Sequence, residues 1–304
     1  MSAGSGGEQG PEATLVSVVV PCFNQARFLG EALASVARQS YPHREVIVVD
    51  DGSTDDTAGV AARSAGIRLV RQDNRGTASA RNRGFHESRG QCVVFLDADD
   101  RLLPDALGAG VDALHACPEC GLVYGHVRLL ATDGASRGCP PQMAVPRAHY
   151  RELLSRNFIW TPGAVMYRRT VIDAVGGFDP RAGGSADFDL NIRIARRWAI
   201  RCHGELVLEY REHVASQSAD PAYMLRSAMT VRRRHRRSVR HSAHERAALA
   251  EGIQAVQADY GEQLLDRLAL HARAGHWRLA LRCLPPLLRY HPGGLARRIV
   301  GWLR

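Results

Sequence analysis

Three carboxylates within four residues, Asp97-Ala98-Asp99-Asp100, mark one segment of the chain as a candidate for cation chemistry. Carboxylates this close repel one another unless a cation joins them, and hard divalent ions prefer such oxygens together with phosphate oxygens. Because side chains alternate along a strand, Asp97 and Asp99 can point toward the same ion. The segment directly follows an apolar run, which favours a metal site over a solvated acidic turn at a helix start.

A second acidic turn, Asp50-Asp51-Gly52-Ser53, follows an earlier apolar run. A carboxylate at a strand end, in a tight glycine turn, can accept hydrogen bonds from a base or a ribose. The alternative is an ordinary Asp-Gly turn with a helix cap. Between the two acidic clusters lie Asn74-Arg75-Gly76 and residues 80–84, whose guanidinium groups suit phosphate, although a solvated surface helix would carry the same residues.

Two further acids, Asp187 and Asp189, open a helical pattern after Gly176-Gly177-Phe178-Asp179. They would complement the positive end of the helix dipole, or Asp187 would act as a general base toward an acceptor hydroxyl. Trp160 could stack on a ligand or pack in the core. His213 and Arg211 could meet a pyrophosphate or a metal, although a lone histidine is more often structural.

The elements that must position these residues alternate between strand and helix. Apolar runs predict strands at residues 15–20, 45–50, 67–70, 92–96, 122–130, 164–167 and 202–208. Helical spacing predicts helices at residues 26–39, from about 55, at 77–88, 103–116, 147–158 and 186–198, with a surface loop at 131–146. This succession predicts an α/β fold with a mainly parallel sheet covered by helices on both faces. Ligands in such sheets bind at the carboxyl ends of the strands, where the polar clusters lie.

The composition indicates a folded chain. Its 304 residues suffice for one large α/β domain with an appendage, or for two modest domains. Hydrophobic residues make up 45% of the chain, which permits a packed core. No run approaches eighteen apolar residues, so we predict no transmembrane helix. Residues 1–13 lack the features of a secretory signal, so we expect a disordered tail and a cytoplasmic location.

Seven cysteines are scattered along the chain, and their odd number favours reduced thiols over a disulfide framework. Cys117-Pro-Glu-Cys120 is a single C-x-x-C pair. With Cys139 and His126 nearby a zinc site is conceivable, but no second pair completes it. We therefore expect ordinary thiols at a junction between a helix and a strand.

Positive charge is concentrated in the last third of the chain. All forty basic residues are arginine, and the formal net charge is +9. Residues 221–304 hold sixteen arginines against five acids, a net +11 that leaves −2 for the first 220 residues. Such asymmetry favours an anionic partner for the tail, such as a membrane surface, an acidic protein or nucleic acid.

The tail, from about Pro221 onward, has a helical pattern that we expect to be broken at Pro285-Pro286 and at Pro292-Gly293-Gly294. The stretch Arg278–Arg304 mixes leucine, isoleucine and tryptophan with arginine, as a membrane-surface helix would. A helical subdomain with a solvated basic face fits equally well. A nucleic-acid partner is not expected, because the basic run at 232–237 has neither a known motif nor interleaved aromatics.

Taken together and in this order, the segments between residues 15 and 218 resemble the family 2 glycosyltransferases of the nucleotide-diphospho-sugar transferase fold, called GT-A. The opening segment of the family is similar to Val20-Pro21-Cys22-Phe23-Asn24, its nucleotide-contacting motif to residues 50–55, and its metal-binding motif to residues 97–100. The central segment matches Asn74, Gly76, Ala80, Arg81, Asn82 and Gly84. The acceptor-side segment matches residues 176–179 and 187–190.

The resemblance implies a GT-A catalytic domain at residues 14–219 and a basic helical region at 220–304. It implies an inverting, metal-dependent transfer of a single sugar from a nucleotide diphosphate sugar, with a UDP-sugar favoured, to a glycan, lipid-linked or small-molecule hydroxyl. The nucleotide-sugar site would comprise Pro21, Phe23, Asn24, Asp50, Asp51, Arg81, Asp97 and Ala98. Asp99 and His213 would hold Mn²⁺ or Mg²⁺, and Asp187 would be the catalytic base. Acceptor contacts would come from Trp160, Gly177 and Asp189.

The chain departs from the family pattern in two ways. The acid that often precedes the base is Ala186 here, which motivates the alternative of a catalytically inactive scaffold. The Q-x-x-R-W motif of processive synthases is missing, because Ile194 stands in the glutamine position before Arg197-Trp198. We therefore expect single-sugar transfer, at the inner face of the membrane if the tail binds lipid. A nucleotidyltransferase is disfavoured, since no glycine-rich phosphate loop follows the first strand.

Overall fold

The structure, a computed structural model, describes residues 13–142, 149–213 and 216–302. Its strands are β1 (Val16–Cys22), β2 (Arg44–Asp50), β3 (Ile67–Arg71), β4 (Cys92–Phe95), β5 (Arg101–Leu102), β6 (Cys120–Leu130), β7 (Ser136–Gly138), β8 (Val165–Arg168) and β9 (Ala199–Arg211). Its helices are α1 (Ala26–Ala37), α2 (Thr57–Ala62), α3 (Thr77–Glu87), α4 (Ala106–His115), α5 (His149–Ser155), α6 (Arg169–Val175), α7 (Ala186–Ala195), α8 (Pro221–His235), α9 (Ala243–Arg273), α10 (Trp277–Tyr290) and α11 (Pro292–Trp302). Short 3₁₀ turns lie at Pro162–Ala164, Pro180–Ser185 and Gln217–Ala219.

These strands form one mixed sheet in the order β3-β2-β1-β4-β8-β6-β9-β5, and β7 pairs with β6 outside this path. Strand β1 runs parallel to β2 and β4, β2 to β3, and β6 to β9. Strand β8 is antiparallel to both of its neighbours, β4 and β6. The prediction of an α/β fold with a mainly parallel mixed sheet is confirmed.

Helices cover both faces of the sheet, and the alternation of side chains in β1 shows why. Val18 and Val20 belong to a core cluster that includes residues of α1 and α4. Val19 belongs to a second cluster on the other side, together with Phe85 of α3. All seven residues of β1 are buried, which accounts for a continuous apolar run where a strand with one solvated face would alternate.

The parallel arrangement brings the polar turns to one edge of the sheet. In the β1–β2 register Cys22 lies opposite Asp50, and in the β1–β4 register Val19 lies opposite Phe95. The turns that follow these three strands therefore start side by side. Strand β1 lies between β2 and β4, so the chain crosses over in opposite directions on its two sides, which is where such sheets bind ligands.

The predicted break at Pro285-Pro286 is wrong, because α10 runs through both prolines. A proline inside a helix costs about 3 kcal/mol or more, since it removes a hydrogen bond and crowds the preceding turn. Cys283, Leu287 and Tyr290 of α10 are buried in a cluster that they share with α8 and α9. Tertiary packing therefore outweighs the local preference. The second break is confirmed, since α11 starts at Pro292, a position where proline is favourable.

The expectation of reduced thiols is wrong for one pair, because Cys117 and Cys120 form a disulfide. The chain turns tightly between α4 and β6, where the amide of Cys120 donates to the carbonyl of Cys117 at 3.0 Å. The turn brings the two Cα atoms to 5.3 Å, within bonding reach. The disulfide also removes both sulfurs from the zinc site considered above. Cys22, Cys92, Cys139, Cys202 and Cys283 are free thiols.

Other boundaries shift by a few residues. Helix α2 begins at Thr57, where the sequence predicted a helix from about residue 55. Strand β5 was not predicted, and the predicted loop at 131–146 contains β7. Residues 143–148, which include parts of that loop and of the helix predicted at 147–158, lie outside the described residues. Residues 1–12 of the predicted tail do so as well.

The C-terminal helices pack on the α/β part of the chain. Val231 of α8 and Leu249 of α9 belong to the same core cluster as α3 and α7. A further cluster joins α8, α9 and α10. The two parts of the chain on either side of residue 220 therefore share a core. Their division into two domains stays a prediction. Within the residues that the structure describes, no helix is both long enough and apolar enough to cross a bilayer.

A close approach of α3 to the sheet gives the first prediction. A Cβ added at Gly84 would lie 2.3 Å from Cγ1 of Val19 and 3.0 Å from Cγ2 of Val49, whereas one added at Gly108 of α4 would meet nothing within 4 Å. We expect Gly84→Ala to lower the free energy of unfolding by about 1–3 kcal/mol through overpacking. Gly108→Ala should raise it by roughly 0.5–1 kcal/mol through helix propensity.

Urea denaturation followed by circular dichroism measures both changes. The two variants are matched, since each adds one methyl group to a helix. Equal effects of the same sign would show that α3 does not depend on close contact with β1.

Candidate active site

The turn after β2 is held by Asp50, whose side chain is fully buried. Its Oδ1 accepts from the amide of Ser53 at 2.8 Å, and its Oδ2 accepts from Nε of Arg71 at 2.9 Å. Gly52 has a φ of +80°, and a Cβ there would lie 2.9 Å from the amide nitrogen of Asn74. The turn therefore needs glycine both for its backbone and for its close contact with the next segment.

Asp51 is also buried, and it holds the segment before α3. Its Oδ1 accepts from Nε2 of Gln72 at 2.7 Å and from the amide of Arg75 at 2.9 Å. Its Oδ2 accepts from the amide of Gly76 at 2.8 Å. These bonds satisfy free amides at the N-terminus of α3. The predicted contact between Asp51 and a base stays a prediction, since the carboxylate already has three donors in this conformation.

The segment after β1 presents an aromatic side chain to solvent beside this turn. Phe23 is 45% exposed, whereas Pro21 before it is buried. Asn24 adopts a φ of +53°, which asparagine tolerates better than most residues. Its Oδ1 accepts from the amide of Thr54 at 2.8 Å, and its own amide donates to Oγ of Ser53 at 3.0 Å. The two predicted nucleotide-binding turns are thus joined directly.

Arg81 of α3 lies beneath the acidic segment after β4. It is buried, and its Nη2 donates to Oδ1 of Asp97 at 2.6 Å. Burial acts to lower the pKa of Arg81, but the carboxylates of Asp97 and Asp187 more than offset it, and the pKa is raised. Arg81 therefore stays charged between two predicted functional acids. Ala98 is buried in the first core cluster, so the chain can turn tightly between Asp97 and Asp99.

Asp99 and His213 meet across the site. Nε2 of His213 lies 2.8 Å from Oδ2 of Asp99. Burial, and then the charge of Asp97, raise the pKa of Asp99, while the hydrogen bond from His213 opposes the shift. His213 is itself buried, and its ring lies 5.2 Å from that of Phe28. The two residues predicted to bind metal are therefore in contact.

The acidic segment depends on Arg211, whose role was missed in the sequence. Its amide donates to Oδ1 of Asp100 at 2.9 Å, and its Nε donates to the carbonyl of Asp99 at 2.9 Å. Its Nη2 donates to Oε2 of Glu31 at 2.6 Å. Asp100 is buried, and burial followed by the charges of Asp99 and Asp97 raises its pKa well above the usual range. The sequence suggested a pyrophosphate or metal contact for Arg211, and not this support of the acidic segment.

The donor set at Asp99 and His213 fits a divalent cation. Their 2.8 Å separation is close to the distance of about 3 Å between neighbouring ligands of an octahedral ion bound at about 2.1 Å. Across the described ranges, no three His, Cys, Asp or Glu side chains form a metal-binding group. Two protein ligands completed by phosphate oxygens is the usual arrangement for an ion that binds with a nucleotide.

Asp187 occupies the first turn of α7 and keeps part of its surface open to solvent. Burial raises its pKa, while Arg81 and the amide of Phe188 act in the opposite direction. In the described part of the chain, no other side chain forms a hydrogen bond or ion pair with it. An unpartnered carboxylate with a raised pKa suits a general base.

Ala186, the departure noted in the sequence, is buried in the second core cluster beside Phe188. An acid at this position would enter an apolar environment without a partner, at a large desolvation cost. Alanine at this position therefore suits the apolar packing of α7 in this chain.

The predicted acceptor contact of Asp189 does not fit the structure. Asp189 is 2% exposed, its Oδ2 accepts from Nε of Arg193 at 2.8 Å, and its Oδ1 lies 3.2 Å from Nε2 of His235. Because side chains on a helix project around its axis, Asp187 and Asp189 face different directions. We assign Asp189 to the joint between α7 and α8 instead.

Gly177 lies in a segment fixed to α3. Oδ1 of Asn82 accepts from the amide of Phe178 at 2.9 Å, and Nδ2 of Asn82 donates to the carbonyl of Phe178 at 2.8 Å. A Cβ at Gly177 would lie 2.7 Å from Oδ1 of Asn82, and its φ is +69°. The predicted acceptor contact of Gly177 stays a prediction, while its backbone role is clear from these contacts.

Trp160 is 41% exposed, which excludes the alternative of a core tryptophan. Its ring lies 6.4 Å from that of Tyr210, edge to face. Tyr210 directly precedes Arg211, so Trp160 belongs to the same side of the site. The predicted stacking on a sugar stays a prediction.

Comparison with known proteins identifies the family. A sequence model described as glycosyl transferase family 2 matches residues 17–176. A PGL/p-HBAD biosynthesis glycosyltransferase of Mycobacterium bovis (strain BCG / Pasteur 1173P2) is 31% identical over 230 residues, 72% of this chain and 86% of that protein. The putative teichuronic acid biosynthesis glycosyltransferase TuaG of Bacillus subtilis (strain 168) is 34% identical over 125 residues, 40% of this chain and 49% of that protein.

Solved structures share the fold. The mannosyltransferase PcManGT from Pyrobaculum calidifontis, in complex with GDP-Man and Mn²⁺, aligns with a TM-score of 0.57 at 22% identity, over 90% of this chain and 86% of that chain. S. aureus TarS 1–349 aligns with a TM-score of 0.54 at 19% identity, over 88% and 89% of the two chains. The GT-A fold expected from the resemblance is thereby confirmed.

The family match spans β1 to α6, and with them the turns that carry Asn24, Asp51 and Asp99. The M. bovis relative extends the similarity over most of the chain. The chain belongs to the family 2 glycosyltransferases, enzymes that transfer a sugar from a nucleotide-sugar donor.

Proposed function

We propose that the protein is an inverting, metal-dependent enzyme that transfers one sugar from a nucleotide diphosphate sugar, with a UDP-sugar favoured, to an acceptor hydroxyl. The observation that carries the proposal is the position of Asp187. It is a partly exposed carboxylate without a partner side chain in the described residues, and Arg81 separates it from the acidic segment. A base on one side of the Arg81 guanidinium group and a leaving-group site on the other side suit a single displacement.

The donor nucleotide would lie along the turns after β1 and β2. Phe23 offers an exposed ring for the base, and Asn24, Asp50 and Asp51 shape the turn beside it. A TarS structure contains UDP, and the PcManGT structure contains GDP-Man. These two structures therefore support a nucleoside diphosphate as the bound group. The preference for uridine is a proposal that goes beyond them, since their bases differ.

Asp99 and His213 would hold Mn²⁺ or Mg²⁺, and the bound ion would neutralise charge on the departing diphosphate. Arg81 would keep the carboxylate of Asp97 in place. Arg211 would fix the backbone of Asp99, so that its side chain needs no reorganisation when donor binds.

Asp187 would accept the proton of the acceptor hydroxyl at its carboxylate oxygen as the hydroxyl attacks the anomeric carbon. The charge of Arg81, and then the amide of Phe188 at the N-terminus of α7, limit the rise in its pKa, because both stabilise the ionised form. The exposed face of Trp160 would orient the acceptor.

The acceptor belongs to glycan, cell-surface polysaccharide or glycoconjugate biosynthesis in this proposal. The relatives are described as glycosyltransferases of PGL/p-HBAD and teichuronic acid biosynthesis. A lipid-linked acceptor would suit α10, whose outer surface carries Trp277, Leu281 and Leu288 at 64%, 60% and 61% exposure. Arginines adjoin this stripe, and residues 267–304 contain no acid. We infer that this surface lies against an anionic membrane.

Nucleotide binding tests the donor and metal sites together. We expect one of UDP, GDP, dTDP and CDP to raise the melting temperature in the presence of Mn²⁺, because a ligand of the folded state stabilises it. Asp99→Ala should abolish the part of this increase in melting temperature that depends on Mn²⁺, and His213→Ala should reduce it. Thermal-shift measurements with and without Mn²⁺ give both results.

Asp112→Ala is the control, since Asp112 is an exposed acid of α4. A shift that survives Asp99→Ala would contradict the metal site. No shift with any nucleotide would contradict the donor site and favour a catalytically inactive scaffold.

The base is tested by pH dependence. Because Asp187 must be ionised to accept a proton, and its pKa is raised, kcat/KM should increase with pH through a limb above the ordinary aspartate value. Asp187→Asn should lower kcat by about 10²–10⁴-fold. Initial rates of nucleotide release across pH measure both effects.

The exposed Asp173 of α6 provides the matched variant, since Asp173→Asn makes the same change away from the site. Retention of the rate and of the acid limb in Asp187→Asn would exclude Asp187 as the base.

The membrane surface is tested by co-sedimentation with vesicles of phosphatidylcholine and phosphatidylglycerol. Wild type should sediment with the mixed vesicles, less so as salt rises. The double variant Trp277→Ser, Leu281→Ser should sediment less, because it loses apolar burial at the interface. Leu270→Ser, which removes a leucine 66% exposed on α9, should not change the bound fraction. Equal loss in both variants would argue against a specific face.

A further inference from the structure

A cavity of about 560 Å³ lies outside the active site, between the C-terminal end of α8 and the end of α10. Its lining residues are Thr230, Arg233, Arg234, Arg237, Arg289 and Tyr290. We refer to it as the arginine cavity. The region matched by the family model ends at residue 176, so the cavity belongs to a part of the chain that this model does not cover.

The cavity concentrates positive charge, of which carboxylates in the described part of the chain neutralise only that of Arg234. Arg234 is paired with Asp179. For Arg233, Arg237 and Arg289, no carboxylate in the described ranges comes within 4.0 Å of the guanidinium group. Like charges gathered around one cavity repel one another, so this arrangement is more stable when an anion enters.

The ordinary explanation for arginines at the end of a helix is the helix dipole, and it covers only part of the set. Arg233 and Arg234 lie in the last turn of α8, where cations are favourable. Arg237 lies beyond the helix end, and Arg289 comes from α10. Two separate elements therefore direct arginines into the same space.

Packing holds part of this set in place before any ligand arrives. The guanidinium carbon of Arg233 lies 4.9 Å from the centre of the Tyr290 ring, and that of Arg289 lies 5.5 Å from it. Tyr290 is buried in the cluster that joins α8, α9 and α10. Guanidinium groups held in this way lose less entropy on binding, and their planar forks match the oxygens of a phosphate.

We propose that the arginine cavity binds a phosphate or diphosphate group, distinct from the diphosphate of the sugar donor. The pair Arg234–Asp179 connects the cavity to the segment that leads into α7 and Asp187. The bound group is therefore a phosphate of the acceptor or of a lipid headgroup at the same surface. This inference goes beyond the proposed transfer reaction and does not depend on the identity of the donor.

Isothermal titration with sodium pyrophosphate, in EDTA and at fixed ionic strength, tests the site on the full chain. We expect Arg237→Ala and Arg289→Ala each to weaken binding by about tenfold, since each removes a charge-assisted contact. Arg236→Ala removes an exposed arginine at the end of α8 that does not line the cavity, and should change affinity less than twofold. Asp99→Asn should leave this binding intact, because it alters only the donor site.

Three results would overturn the proposal, and the first two are no binding of pyrophosphate to the wild type and an equal loss in Arg236→Ala. The third is a change in affinity in Asp99→Asn without a loss in the cavity variants, which would place the anion in the donor site. The absence of a nucleotide-induced thermal shift would not change these titration results. The proposed transfer reaction and the proposed phosphate site can therefore be disproved independently.

Vesicles distinguish the sources of the phosphate. If the cavity takes lipid headgroups, Arg237→Ala should sediment less than Arg236→Ala with phosphatidylglycerol vesicles. If it takes the phosphate of a soluble acceptor, the two variants should sediment alike while differing in pyrophosphate affinity.

Discussion

Repulsion among the carboxylates that follow β4 is the constraint on which the site depends. Three acids lie within four residues, and burial makes the charges of Asp99 and Asp100 harder to sustain. Groups from α3 and from the end of β9 compensate them: Arg81 contacts Asp97, His213 contacts Asp99, and the backbone amide of Arg211 donates to Asp100. The acidic segment can form only when α3 and the end of β9 are in place, so the site and the fold are formed together.

The sequence was sufficient where the determining contacts are local. Apolar runs located the strands, and the turns at Asp50 and Asp97 follow them directly, so their meeting at one sheet edge could be predicted. The sequence was insufficient where a contact with another element decides the role of a residue or the course of a helix. Asp189 and Asp187 are both acids at one helix start, and only the positions of Arg193 and His235 separate their roles. The continuity of α10 through Pro285 likewise depends on burial against α9, which local propensity does not contain.

The C-terminal helices support the segment that leads into α7. His235 of α8 contacts Asp189 of α7, and Arg234 contacts Asp179 in the preceding segment. Oγ of Ser227 accepts from the amide of Gly184 at 3.2 Å in the turn between them. Helix α8 therefore holds the segment from Asp179 to Asp189 from outside, while Asn82 holds its beginning from α3.

This division of contacts has an evolutionary consequence. The donor turns depend on β1, β2, α3 and β9, whereas the path from Asp179 to Asp187 is supported largely by α8. In the proposed mechanism, substitutions that alter these contacts of α8 would move α7, which carries Asp187, and leave the turns after β1 and β2 in place. A lineage could therefore exchange one acceptor for another by drift in its C-terminal helices alone, while the same donor continues to be used.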